Sequence, residues 1–276
     1  MSEPFSVLMS IYIKENPKNL SEALNSILHQ SLMPDEIVLV KDGPLTENLE
    51  EEIAIFLKKF KNVTIIPLKE NVGLGKALKI GVESCKYNII ARMDTDDIAS
   101  NNRFVEEISC LEKNDLDIVG SNIEEFVESS ECPVSQRSVP ESQEEIIKFS
   151  KSRNPFNHMT VVFRKNMVIN SGNYQDMKGF EDYYLWLRMI KNGARVFNIQ
   201  KNLVHVRTDE NFVERRTGLD YVKSEYNFQK KVLDEKLISK YDFFRNVILR
   251  CSARLIPKKI LEQMYIRFIH SNKLLR

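Results

Sequence analysis

The chain has few of the features that assign a role at sight. Its four cysteines, Cys85, Cys110, Cys132 and Cys251, form no CxxC pair. That spacing argues against a disulfide framework or a zinc site and for reduced thiols in a cytosolic protein. Net charge is only +1, so the molecule as a whole exerts no electrostatic pull on nucleic acid. Long hydrophobic runs are missing too. The start, MSEPFSVLMSIYIKENP, has Glu3 ahead of a short apolar run, no basic leader and no small-residue cleavage site. A signal peptide and a membrane span are therefore not expected there, and a first buried strand is. Glycine is scarce, and the pair in Asn71–Ala77 does not make a phosphate loop. Glu70 stands where that pattern needs its first glycine, and Ala77 where it needs Ser or Thr. There are no internal repeats and no low-complexity segment.

What is present suits one large α/β domain with a tail: 276 residues, 42% hydrophobic and 29% charged. The first half alternates strand and helix signals. Phe5–Ile13 is a β-rich run, and Leu20, Ala23, Leu24, Ile27 and Leu28 then recur at helical spacing. Glu36–Val40 reads as a second strand ended by Asp42-Gly43-Pro44, and a charged helix over about Glu47–Lys61 leads into a strand at Val63–Pro67. Leu74, Ala77, Leu78, Gly81 and Val82 restore the helical period before a fourth strand, Asn88–Met93, which Asp94-Thr95-Asp96-Asp97 stops. This alternation predicts a mostly parallel central sheet flanked by helices. Ligands bind such sheets outside the carboxyl ends of the strands. Asp42 and Asp94–Asp97 sit where strands end, so they should share one crevice.

Beyond residue 127 the pattern loosens. Val127–Gln143 reads as a loop, Met159–Arg164 as a strand, Glu181–Asn192 as a helix, and Arg195–Ile199 and Leu203–Arg207 as two short strands. From Asp220 the chain is helical and increasingly basic. The pattern divides the chain into residues 1–219, in two halves over about 1–126 and 127–219, and a helical extension over 220–276.

In an extended segment Asp94 and Asp96 point to the same face. Carboxylates packed that closely repel unless one takes up a proton or a cation holds them together. Oxygen ligands of this kind suit Mg²⁺ or Mn²⁺. Taken alone, the tetrapeptide fits equally well a solvated acidic turn capping the next helix. A calcium-binding EF-hand loop is excluded, because Ala99 falls where its glycine belongs and Val105 where its bidentate glutamate belongs.

Ala91-Arg92-Met93-Asp94-Thr95-Asp96-Asp97 does not stand alone. Lys41-Asp42-Gly43 and Asn71–Ala77 precede it, and Asn157-His158, Val162-Phe163-Arg164 and Gly179-Phe180-Glu181-Asp182-Tyr183-Tyr184-Leu185-Trp186 follow. In that order and spacing the motifs resemble the family 2 inverting glycosyltransferases of GT-A fold, over roughly residues 5–220. The likeness is strongest to bacterial members that build O-antigen, capsule and exopolysaccharide, including the amylovoran-type enzymes.

The resemblance makes residues 1–219 the catalytic domain, with a nucleotide-binding half over about 1–126 and an acceptor half over about 127–219, and implies a role for each matching residue. Asp42 would recognise uracil, a carboxylate accepting the base N–H being a charge-assisted bond, with Ser10 and Tyr12 lining the same pocket. Asp94 would contact the nucleotide and share the metal, Arg92 would face the nucleotide, and Asp96 would bind Mn²⁺ or Mg²⁺ directly. Asp182, beside Glu181 at a helix start, would be the general base that takes the acceptor hydroxyl's proton. His158 and Trp186 would face the acceptor, and Arg215-Arg216 would close over the diphosphate. His205 and Asp209 are alternatives for a further metal ligand. The donor implied is a UDP-sugar and the acceptor an undecaprenyl-diphosphate-linked saccharide.

Residues 240–276 carry nine basic residues against two acidic ones, a net +7, among many apolar residues. Such helices can lie in an anionic membrane interface or dock on a neighbouring domain with the basic face solvated. The first option makes the protein peripheral at the inner face of the cell membrane. Two other functions compete. A sugar-nucleotide pyrophosphorylase would want a glycine-rich loop after the first strand, and Ser10–Glu15 has no glycine. A non-catalytic nucleotide-sugar-binding scaffold would have lost some acidic positions, yet Asp42, Asp94, Asp96 and Asp182 all remain.

Overall fold

The computed structural model describes residues 2–208 and 218–252, with Leu219 through its backbone alone. Within Met1–Arg207, the larger of two compact units, β1 (Phe5–Ile11) is buried at every position but Ser10. β2 (Glu36–Lys41) and β4 (Ile89–Arg92) are buried almost as completely. That is the near-continuous apolar run a parallel strand needs when helices cover both of its faces. α1 (Pro17–Leu28) starts on a proline, capped by Asn16, and buries Leu20, Ala23, Leu24 and Ile27. α2 (Glu47–Lys59) is capped by Thr46 and has acidic residues in its first turn and lysines in its last, which matches the helix dipole. β3 (Val63–Pro67) and α3 (Leu74–Ser84) complete the first half. α3 can lie close on the sheet because of Gly81, where a Cβ would fall 2.3 Å from Leu8 Cδ1 and 3.0 Å from Val40 Cγ2.

The second half adds β5 (Ile98–Ala99), α4 (Arg103–Lys113), β6 (Ile118–Phe126), β7 (Ser135–Arg137), α5 (Gln143–Ser150), β8 (Val162–Arg164), α6 (Lys165–Asn170), α7 (Glu181–Lys191) and β9 (Val196–Arg207). One sheet runs β3-β2-β1-β4-β8-β6-β9-β5, with β7 on β6. The pairs among β3, β2, β1 and β4 are all parallel, as the alternating pattern predicts. Beyond β4 the sheet is mixed: β8 is antiparallel to both β4 and β6, and β9 is parallel to β6.

Here the sequence reading needs correcting in detail. The two short strands expected at 195–199 and 203–207 are one strand, β9, whose polar middle, Gln200-Lys201-Asn202, hides the continuity. It follows β6 with register shifts between Ser121 and Ile123. β6 itself escaped notice because Ser121 and Asn122 break its apolar pattern although both are buried. Residues 158–160 form a 3-10 turn ahead of β8. The expected loop contains β7, and α5 follows directly behind it, started by a capping box between Ser142 and Glu145.

The second unit begins at Thr208. Its described part is α8 (Leu219–Asp234), then α9 (Lys240–Asn246) running into a wider helical turn over Val247–Cys251. The buried Glu225 pairs with Arg250 at 2.7 Å, and Gln229 meets Asn246 at 3.1 Å. Asp209, Arg215, Arg216 and most of the basic tail lie outside the described residues. Among those described, no helix is long and apolar enough to cross a membrane.

Candidate active site

Parallel pairing brings the ends of β1, β2 and β4 side by side. Leu8 is opposite Arg92, Met93 N–H donates to Leu8 O, and Asp42 N–H donates to Ile11 O. Beyond these ends opens a cleft of about 370 Å³. Ser10, Tyr12, Asp42, Asp94 and Asp96 all line it, together with Glu15 and Gly73. The crevice expected from strand ends alone is therefore there, at the place such sheets reserve for ligands.

Asp42 does more than line the wall. Its two carboxylate oxygens accept from Val72 N–H (2.7 Å) and Gly73 N–H (3.1 Å), pinning the loop before α3 to the end of β2. Gly43 and Gly73 sit at φ +92° and +89°, a region that costs glycine nothing. Each oxygen of Asp42 keeps acceptor capacity for a ligand.

The ligand-capable oxygens of Asp94, Asp96 and Asp97 lie within 4.8 Å of one another. Burial first, then Asp94 and Glu15, pushes Asp96 up to about 7. Asp97, which accepts Arg207 N–H at 2.9 Å, is pushed well up by burial, Asp94 and Asp96. Three crowded carboxylates form an oxygen donor set that suits a hard divalent cation. Arg92, only 2% exposed, pairs with Asp94, while its Nε and Nη1 have no hydrogen-bond partner among the described residues. Behind the turn, the buried Arg103 donates to Glu107 (2.9 Å) and to Arg92 O (2.7 Å), tying α4 to the end of β4.

A second acidic group, Glu181 and Asp182, stands at the start of α7. Glu181 packs against α3, since a Cβ on Gly75 would come within 2.7 Å of Glu181 Cγ. Because α3 begins at the cleft-lining Gly73 and Leu74, α7 starts beside that cleft. Asp182 Oδ2 accepts from Asn154 Nδ2 at 2.6 Å. Burial raises Asp182, while its own helix amide, Asn154, Arg92 and Arg137 oppose the rise. The buried Tyr174 feels Arg92, Asp182, Asp94 and Glu181 together, and its hydroxyl meets His158 Nε2 at 2.8 Å. Arg92 and Tyr174 thus interact electrostatically with both acidic groups.

Three residues expected at the site have other surroundings. Trp186 is fully buried, with ring contacts to Phe156, His158, Phe163 and Tyr174 at 5.7–6.4 Å. It is a core residue rather than an acceptor contact, because α7 turns this face toward the sheet. His158 looks inward to Tyr174 and Trp186, and burial, reinforced by Arg92, drives its imidazole well below its usual range, so it is neutral. His205 sits opposite Ile98, with Ser100 Oγ and Glu124 Oε2 each 3.3 Å from a ring nitrogen. It is not part of the aspartate group. The sequence reading missed Glu15, Asn154 and Tyr174. Glu15, which accepts from Thr95 Oγ1 at 2.7 Å, follows the end of β1 and was open to the same strand-end argument. Asn154 and Tyr174 carry no local signal of their role.

A model of the glycosyl transferase family 2 domain matches residues 6–178. The chain belongs to glycosyl transferase family 2. This glycosyltransferase is 40% identical over 265 residues to the amylovoran biosynthesis glycosyltransferase AmsE of Erwinia amylovora, covering 95% of this chain and 97% of the relative. It is 38% identical over 266 residues to the UDP-Gal:alpha-D-GlcNAc-diphosphoundecaprenol beta-1,3-galactosyltransferase of Escherichia coli, covering 96% of each. Among solved structures, the mannosyltransferase PcManGT of Pyrobaculum calidifontis, in complex with GDP-Man and Mn²⁺, superposes with a TM-score of 0.65 at 13% identity, over 93% of this chain and 71% of that one. At that identity the likeness speaks for the fold alone, and the fold is GT-A, as the sequence motifs imply.

Proposed function

We propose that this glycosyltransferase moves a hexose from a UDP-sugar, with inversion, onto a saccharide carried by a lipid diphosphate. The observation that carries the reading is the meeting of two acidic groups at one place. The cleft lined by Asp42, Asp94 and Asp96 opens beside the helix start that bears Asp182. Asp42 and Ser10 would hold the base. Asp96 and Asp94 would hold Mn²⁺ or Mg²⁺, which when bound supplies positive charge for the departing diphosphate. Asp182 accepts the proton of the acceptor hydroxyl as that oxygen attacks C1 from the face opposite the nucleotide. The bond from C1 to the diphosphate oxygen breaks, and the anomeric configuration inverts. Burial suits Asp182 to the task, because raised proton affinity makes a better base than a free aspartate. A lipid acceptor fits the E. coli relative, whose name specifies a GlcNAc-diphosphoundecaprenol substrate. Contact with the membrane surface is supported by Tyr241, Phe244, Ile248 and Leu249, all more than 60% exposed beside Arg245.

The test is a panel of UDP-sugars with Mn²⁺ or Mg²⁺ and a synthetic GlcNAc-diphosphate lipid, the product linkage being read by NMR. A product of opposite anomeric configuration to the donor is expected. No turnover across the panel would favour a nucleotide-sugar-binding scaffold instead.

A further inference from the structure

We infer that Asn154 is the positioning residue of the acceptor-side base, its amide fixing which oxygen of Asp182 stays free to take the proton. The inference rests on the reading of Asp182 as that base and adds to it a residue 28 positions away in sequence.

Asn154 Nδ2 donates to Asp182 Oδ2 at 2.6 Å, while Asn154 Oδ1 accepts from Phe156 N–H at 3.3 Å. The second bond sets the sense of the first. A flipped amide would lose the Phe156 contact and turn its oxygen against a carboxylate oxygen, leaving two acceptors face to face. The segment around Asn154 is fastened on several sides. Ser152 and Arg153 N–H both donate to Phe149 O at 3.0 Å. Asn198 Nδ2 donates to Pro155 O at 3.1 Å, and Asn157 Nδ2 to Ser121 O at 2.9 Å. The Tyr183 hydroxyl, from the residue after Asp182, donates to Ser150 O at 2.6 Å. Loop and helix start are thus joined twice, once through structure and once through the base itself.

The chemistry of the partner also matters. The charged and titratable groups acting on or beside Asp182 are Glu181 on its own helix, Arg92 on β4, Arg137 on β7 and Tyr174. An arginine bonded directly to the carboxylate would orient it but would strongly favour the anion and weaken it as a base. An amide orients it with a smaller loss of basicity, and with Oδ2 on Asn154 and the Tyr183 N–H also bonded to the carboxylate, Oδ1 keeps acceptor capacity for the acceptor hydroxyl.

The experiment compares the full-length wild type with Asn154→Ala, Asn154→Asp and Asp182→Asn. It measures UDP affinity, kcat across pH and thermal stability. In Asn154→Ala, kcat should fall about 10- to 100-fold, the scale of a misplaced reacting group. UDP affinity should stay within about twofold. The acid limb of the kcat profile should move to higher pH, since a donor that favours the anion is gone. Asn154→Asp keeps the shape and sets a carboxylate against the base, so its acid limb should move further up and its activity recover as pH rises. This isosteric variant carries the test if the alanine variant folds poorly. An unmoved acid limb and unchanged kcat in Asn154→Asp, with Asp182→Asn inactive, would overturn the role of Asn154 and leave the base in place. An active Asp182→Asn would instead remove the reading underneath.

Discussion

The two acidic groups, Asp94–Asp97 on the proposed donor side and Glu181-Asp182 on the proposed acceptor side, hold their carboxylates by opposite means. On the donor side Asp94, Asp96 and Asp97 crowd within 4.8 Å, and burial together with the neighbouring carboxylates raises the proton affinity of Asp96 and Asp97. Arg92 pairs with Asp94 alone among them. On the acceptor side Asp182 has its Oδ2 on a neutral amide and a bond from its own helix backbone. The first arrangement suits added positive charge; the second is already balanced and suits a group that must gain a proton and release it. Arg92 and Tyr174 act electrostatically on both groups.

Four substitutions would break or sharpen that contrast. Asp96→Ala should act most strongly, removing metal-dependent UDP binding and lowering transfer by about 10³-fold or more. Calorimetry with and without Mn²⁺ reads it, and unchanged affinity would take Asp96 out of the donor site. Asp182→Asn should leave UDP binding intact and reduce kcat by about 10²- to 10⁴-fold. The wild-type kcat profile should fall on the acid side at a pH above the ordinary aspartate value of about 3.9, since burial raises Asp182 and only its ionised form accepts a proton. An acid limb below that value would contradict the assignment. Gly81→Ala tests the scaffold under both sides. Its methyl would press on Leu8 and Val40, and a net loss of about 1–2 kcal/mol is expected in thermal unfolding after the helix preference of alanine is counted. An unchanged melting temperature would show that α3 can move off the sheet. The smallest effect is expected of His205→Ala. Turnover with Mn²⁺ should change less than about threefold, because His205 sits with Ser100 and Glu124 rather than with the aspartates. A large loss of metal dependence would reinstate it as a ligand.

The same division governs what could be read from the chain. From β1 to β3 each strand is followed by a helix, so hydrophobic period and turn residues specify the elements locally, and the strand ends place Asp42, Asp94 and Asp96 in one cleft. In the second half the decisive contacts are distant. β6 is a strand because β8 and β9 flank it, although Ser121 and Asn122 interrupt its pattern. Trp186 has the composition of a sugar platform and the position of a core residue, and only packing distinguishes the two. Asn154 looks like a turn residue before Pro155 until Asp182 arrives from 28 positions downstream. Residue type marked the acids proposed to do the chemistry, but not the neutral amide that holds one of them.

Anomalous diffraction from crystals grown with Mn²⁺ and UDP would test the convergence of these groups most directly. The account predicts a manganese peak bonded to Asp96, the uracil against Asp42, and the Asp182 carboxylate opening onto the same cleft. A manganese ion bound away from the Asp94–Asp97 turn, or a nucleotide on another face of the sheet, would contradict it.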